Sequence, residues 1–525
     1  METNDNVVML AKPVRKGITK ILFSRVFIIG ILLVLQIAFF VAAYVWFYDN
    51  VHIFLHLQWI FTFVMIIYLF NSKMDSSAKL TWMLIIALVP IVGALLLFWT
   101  QSNIGHRKEI NMVKKQIDDS KEMLDQSEKV FKEVERDGSG SDDLCKYLNK
   151  TGCFPLYDKS EVTYFPLGED KFEAMLKELE KAKKFIFMEY FIVEEGYMWG
   201  RILDILIRKA EAGVEVRVMY DGMCEMSTLP TDYWKRLEKK GIHARAFSPI
   251  MPIVSSHYNY RDHRKILSID GKVAFNGGVN LADEYINRIE RFGHWKDTAV
   301  MIKGPAVQSL TLMFLQMWNL RSGDSTEDYK KWLSEPVNEY PDAKGYVMPY
   351  CDNPLDGYKV GEAVYIDILY RSTDYVHIMT PYLILDGELE TALRFAAQRG
   401  VDVKIIMPGI PDKAFAYSLA KTHYKNLVEA GVKIYEYTPG FVHAKVFVSD
   451  DIKAVVGTIN LDYRSLYHHF ECATYMYKTD CIPAIEKDFQ DTLSKCREVS
   501  VESIKSEKLS YKIMGTLGKM ISPLI

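Results

Sequence analysis

Cysteine is scarce. There are seven thiols in 525 residues, scattered, with no CxxC pair and no zinc-ligand spacing. That argues against a disulfide scaffold and a zinc-finger-type centre. Glycine and proline are few, at 30 and 18, which excludes a collagen-like chain. Half of the residues (49%) are hydrophobic, which excludes a wholly disordered one. No sign of charge dominates, since the net charge is −3. That figure hides a split. The first hundred residues carry a net +3 and the remaining 425 a net −6. An acidic body is a poor electrostatic match for nucleic acid, so no nucleic-acid partner is expected. The mean hydropathy of −0.02 resembles that of a soluble protein, but the apolar residues are unevenly distributed.

Three stretches lack Asp, Glu, Lys and Arg altogether: Val26–Tyr48, Val51–Phe70 and Leu80–Trp99. Each is long enough to span a bilayer core of about 30 Å as a helix. Trp46 and Tyr48 close the first, and Trp99 closes the third, as interfacial aromatics do. His52, His56 and Gln58 dilute the start of the second, for which a re-entrant or interfacial segment is the alternative. Residues 1–105 are therefore expected to form a helical, multi-pass anchor in the cell membrane, with spans near 26–48, 51–70 and 80–99. With three spans, seven basic residues flank one side and four the other, which places the C-terminal body outside the cytoplasm. With two, the body returns to the cytoplasm.

Residues 106–143 are read as a charged linker. Ile110, Val113, Ile117 and Leu124 recur at helical intervals within 106–136, and Asp137–Asp143 (DGSGSDD) is a breaker. Beyond it the chain repeats itself. Segment 184–222 and segment 374–409 each give an apolar strand, a turn, an amphipathic helix and a second apolar strand. KKGIHARAFSP (239–249) is echoed by EAGVKIYEYTP (429–439). Strands alternating with helices imply βαβ units and parallel pairing. Two similar α/β domains, 144–335 and 336–525, packed about a pseudo-two-fold, are the expected architecture. The second ends in a basic amphipathic tail, Lys508–Ile525, which either lies on a membrane or docks on its own domain.

Each half contains the same chemical motif. The first supplies His263, Lys265 and Asp270, with Asn280 ten residues after Asp270. The second supplies His443, Lys445 and Asp450, with Asn460 at the same distance. In a strand, residues i and i+2 share a face, so each His projects with its Lys. Two such faces meeting would join two imidazoles, two ammonium groups and two amides. That set suits a phosphoryl group: cations and amides for its oxygens, one imidazole to attack phosphorus and one to protonate the leaving oxygen. A lysine beside each His argues against a metal, and neither metal nor cofactor is expected.

These motifs resemble the paired HKD motifs of the phospholipase D superfamily. NYRDHRKILSIDG, GGVNLADEYI, WKDTAVMIKGPAVQ and GTINLDYRS are similar to segments of its bacterial cardiolipin synthase branch. The resemblance implies transfer of a phosphatidyl group from one phosphatidylglycerol to another through a phosphatidyl-histidine, at a lipid bilayer. It also implies His263 as nucleophile, His443 as acid/base, and Asp297 and Glu471 as carboxylates orienting the imidazoles. Asp270 and Asp450 are expected to support the motif's geometry. His469 stands where the family often has Asn, and Thr458 where the first half has Gly278, so the half-sites differ. The rival readings are a phospholipase D-type hydrolase or a transferase to another alcohol, and a non-catalytic membrane scaffold. The sequence carries no signal for oligomeric state.

Overall fold

The computed structural model describes residues 6–11, 34, 38, 41, 51–101, 107–152, 154–247, 260–321 and 326–524. The first expected span falls almost wholly outside these residues. The second is one helix, Val51–Phe70. The third is not continuous but forms two helices, Ser76–Leu88 and Pro90–Gln101. Pro90 has no N–H and forces the preceding residue out of the helical region, and Val89 accordingly sits at φ −138°, ψ 73°. Among the described residues no helix is long and apolar enough to cross a membrane. The three helices share a small core of Met65, Leu69, Trp82, Ile86, Ala94 and Leu97. They leave Trp59, Phe63, Phe70, Leu80, Leu88 and Leu95 each at least 60% exposed.

The expected connecting helix is likewise two, Arg107–Ser120 and Glu128–Arg136, because Ser127 caps a new start. The glycine-rich breaker after it is pinned rather than free. Asp137 accepts from Lys478 Nζ at 2.9 Å and from the Tyr477 hydroxyl. Those bonds outweigh partial burial and lower its pKa to about 2.

The first half builds β1 (Glu161–Phe165), β2 (Phe185–Tyr190), β3 (Glu215–Asp221), β4 (His243–Phe247), β5 (Arg261–Asp262), β6 (Lys265–Ile269), β7 (Val273–Gly277), β8 (His294–Lys296) and β9 (Ala299–Lys303). The second builds β10 (Tyr346–Asp352), β11 (Tyr375–Met379), β12 (Asp402–Pro408), β13 (Lys433–Tyr437), β14 (Gly440–Val442), β15 (Val446–Ser449), β16 (Lys453–Gly457), β17 (His469–Tyr477) and β18 (Cys496–Glu498). The sheet orders are β1-β9-β7-β6-β2-β3-β4 and β10-β17-β16-β15-β11-β12-β13-β18. They correspond strand for strand, with β18 added at one edge.

Both sheets are mixed rather than all parallel. Helical crossovers keep β2, β3, β4 and β11, β12, β13 parallel. The motif strands instead return through tight turns, which forces β6–β7 and β15–β16 antiparallel. Asp270 and Gly271 are both left-handed, as are Asp450 and Asp451, which closes each three-residue connection tightly. Helix Val307–Trp318 lies between the sheets, and one apolar core runs through Ile266, Val300, Leu310 and Met313 into Val446, Val455 and Tyr475.

Candidate active site

Each motif histidine is delivered to the opposite half. β5 leaves its own sheet and pairs in parallel with β17, setting Arg261 beside His469 and Asp262 beside Phe470. The His263 N–H then donates to the Phe470 carbonyl at 2.9 Å. Reciprocally, β14 pairs with β8, and the His443 N–H donates to the Lys296 carbonyl at 2.7 Å. The close approach needs Gly440, since a Cβ there would lie 2.3 Å from the His294 carbonyl oxygen.

The imidazoles are held by carboxylates across the same junction. His263 Nδ1 lies 2.9 Å from both oxygens of Glu471, and His443 Nδ1 lies 2.6 Å from Asp297 Oδ2. An imidazole bonded this way donates from Nδ1 and leaves Nε2 as the free base. The supports differ between the halves. Thr458 Oγ1 donates to Glu471. At the equivalent place Gly278 makes room for the shorter Asp297, because a Cβ there would stand 2.1 Å from Asp297 Oδ1.

Burial dominates the site's protonation. It takes the His263 imidazole well below its usual pKa, against the opposing pull of Glu471. It takes His443 down to about 4, assisted by the positive charge of Lys445 and Lys265. Glu471, although buried, is held well below the usual carboxylate range by the imidazole of His263 bonded to it, with His469 3.6 Å away adding to the pull. Both lysines are fully enclosed. Burial lowers Lys265 to about 8 and Lys445 to about 7, and each feels both Asp297 and Glu471. Each Nζ donates to the carbonyl of its own motif histidine. Two imidazoles, two lysines and two carboxylates thus form one electrostatic unit.

The asparagines are less alike. Asn280 accepts from the Ile192 N–H at 3.0 Å and donates to the Tyr285 hydroxyl at 2.8 Å. Asn460 donates to Ser465 at 3.0 Å, and its Oδ1 has no partner among the described residues. Asp270 and Asp450 stand apart from the chemistry. Asp270 lies at the far end of β6 from Lys265, roughly 15 Å away at the strand rise. It accepts from the amides of Lys183, Lys184 and Phe185 at 2.8–2.9 Å. Asp450 does the same for Thr373, Asp374 and Tyr375 at 2.8–3.0 Å. Asp270→Ala should therefore cost about 3 kcal/mol of stability by leaving three amides without their acceptor. A shift in the urea midpoint checks this, with the folded fraction keeping its turnover within about tenfold.

Several residues at the site carry no motif. Lys171 is fully buried; it donates to the Val279 carbonyl at 3.0 Å, and burial lowers it to about 7. Its signal was local: a lysine at i with Met175 and Leu179 at i+4 and i+8 on a buried helix face. Tyr285 and Trp295 pack on His443 at 5.4 and 5.5 Å, and Phe191 on His263 at 4.9 Å. His469 stands 5.4 Å from His263, with Nδ1 3.6 Å from Glu471. His263, His469 and Glu471 thus offer three ligand-type atoms within 4.8 Å of one another, but the first and last are already bonded to each other.

The family described as "Cardiolipin synthase, PLD-like domain" matches residues 175–318 and 365–493. An uncharacterized protein of Streptococcus mutans is 58% identical over 88% of this chain and 99% of its own length. The cardiolipin synthase of Alkalihalophilus pseudofirmus is 32% identical, covering 88% of this chain and 92% of that one. Cardiolipin synthase 2 of Bacillus anthracis is 32% identical over 87% and 88%. The crystal structure of phosphatidylserine synthase from Haemophilus influenzae shares the fold, with a TM-score of 0.55 at 14% identity over 73% of this chain and 99% of that chain. With a family match across both halves, and the paired histidines each held by the other half, the chain belongs to the cardiolipin synthase family of phospholipase D-like proteins.

Proposed function

We propose that the protein joins two molecules of phosphatidylglycerol into cardiolipin and releases glycerol, with His263 as nucleophile. The observation that carries this reading is the crossed pair of imidazole–carboxylate couples, His263–Glu471 and His443–Asp297, closed around Lys265 and Lys445. A phosphodiester entering this space meets two buried cations. Neutralising them removes the positive charge that adds to burial in holding His443 unprotonated, so substrate binding itself favours loading of the acid. His263 Nε2 then attacks phosphorus; the N–P bond forms as the P–O bond to glycerol breaks, and His443 gives its proton to the departing oxygen. In the second half, the acceptor lipid's hydroxyl returns a proton to His443 and attacks phosphorus. The N–P bond breaks, and both histidines regain their starting state.

In this reading 144–335 and 336–525 are two halves of one site about a pseudo-two-fold, for which the matching strand orders are the support. Residues 1–105 are the membrane anchor, supported by the exposed apolar faces of the three helices. In mixed micelles, purified protein should release one glycerol for each cardiolipin formed, without added metal. Phosphatidic acid as the main product would instead make water the acceptor.

The lysines set a pH dependence. Each is charged below its pKa and neutral above it, so phosphate binding weakens as pH rises past about 7, where Lys445 titrates. Plots of log kcat/KM should fall above that point. Lys445→Arg, whose cation persists to far higher pH, should move this alkaline limb upward, even where the maximal rate is lower. An unchanged limb would assign it to another group.

A further inference from the structure

We infer that the C-terminal helix Leu509–Lys519, with the turn after it, lies on an anionic lipid surface. One face is committed to the protein. Gly515 and Gly518 let the helix sit directly on Ala414–Glu429, where a Cβ at 515 would come 2.4 Å from the Ser418 carbonyl oxygen. The opposite face is bare: Leu509 is 71% exposed, Ile513 52%, Leu517 61% and Met520 43%. At 100° per residue these four fall within about 80° of one another, and Lys508, Lys512 and Lys519 form a stripe about 40° wide along one flank. No acidic residue occurs from Lys508 to the end, so a second copy docked here would oppose like charges. The surface is also continuous with the anchor. Thr81 Oγ1 donates to the Met520 carbonyl at 2.8 Å, and Leu524 packs into the Trp82–Ile86 core. Bare leucines, a lysine flank and an adjoining apolar hairpin fit an anionic monolayer.

The test uses the full chain reconstituted into phosphatidylglycerol vesicles, with an environment-sensitive dye on I513C and a control on K425C. The dye at 513 should shift to the blue and be quenched by brominated acyl chains, while the control does not respond. A dye at 513 that stays water-like would overturn the proposal. So would a blue shift that persists without lipid and grows with protein concentration, since a second copy would then cover the face. The readout does not depend on catalysis, so it stands apart from the proposed reaction. As a second variant, I513E/L517E should raise KM for vesicle-borne substrate roughly tenfold with little change in detergent micelles.

A different observation bears on the topology. Residues 6–11, which precede every apolar stretch, are bound to the body behind those stretches. The Leu10 and Ala11 amides donate to Glu195 Oε1 at 3.0 and 3.1 Å, the Val8 amide to the Gly200 carbonyl at 3.2 Å, and Arg236 to the Leu10 carbonyl at 2.6 Å. Gly200 admits the segment, since a Cβ there would lie 2.5 Å from Val7. We propose that residues 6–11 and the body lie on the same, cytoplasmic face of the bilayer. Lys12, Arg15, Lys16, Lys20 and Arg25 then join Arg107, Lys108, Lys114 and Lys115 on that side, as the positive-inside rule requires. M9C and K239C should both resist a membrane-impermeant maleimide in intact cells and react in inverted vesicles. Labelling from opposite sides would refute the shared face, and labelling of both in intact cells would refute the orientation.

Discussion

His263→Ala is expected to abolish cardiolipin formation, with turnover down by about 10⁴-fold or more, because it removes the atom that bonds to phosphorus. No other described imidazole can substitute without rebuilding the site. His443 is held against Asp297, and His469 sits beside Glu471 at 3.6 Å without replacing the bond from His263. His443→Ala should cost nearly as much, in a different way. It removes the proton donor for glycerol and the acceptor for the incoming hydroxyl, a loss of about 10²–10⁴-fold in each half-reaction. The two variants separate in single-turnover experiments. His263→Ala should release no glycerol at all. His443→Ala should still accept a donor with a good leaving group, such as a nitrophenyl phosphodiester, and then stall as the covalent adduct.

Glu471→Gln should lower turnover roughly 10³-fold while leaving the fold intact. The carboxylate keeps His263 in the tautomer with Nδ1–H and a free Nε2; an amide can present its NH₂ to Nδ1 and favour the reverse tautomer. The effect should fall on the first half-reaction, although Glu471 belongs to the second half of the chain. Asp297→Asn should act conversely, on proton transfer through His443. Double-mutant cycles that couple Glu471 to His443, or Asp297 to His263, would contradict the exchange of strands β5 and β14. Thermal unfolding within a few degrees of wild type would show that the changes are local.

Much of this was legible in the residues. The duplicated HxKxxxxD motif marked both halves, and the repeated strand–helix–strand segments marked the βαβ units in each, since short connections leave few topologies. The parallel pairing of β2, β3, β4 and of β11, β12, β13 was legible, and the antiparallel return of the motif strands was not, for a local reason. The apolar runs signalled strands, but the Asp-Gly and Asp-Asp turns inside the motif decide that β6–β7 and β15–β16 fold back. The role of Asp270 and Asp450 follows from the same turns, which carry each carboxylate to the amides of the strand next door. Lys171 had only a helix-face signal, and its place beside Asp297 is a product of packing. The membrane end was the least readable. Leu80–Trp99 counts as a span by length, yet Pro90 divides it. A positive-inside count puts the body on opposite sides for two spans and for three, so it cannot choose between them.

The most direct test is to trap the covalent intermediate. Protein mixed with phosphatidylglycerol labelled at phosphorus, quenched in alkali within one turnover and digested, should carry the label on the peptide containing His263. The label should be stable in base and lost in acid, as expected for a phosphoramidate, and absent from the His263→Ala variant. Label on the His443 peptide would exchange the two roles. Cardiolipin formed at the normal rate with no labelled histidine would contradict the mechanism.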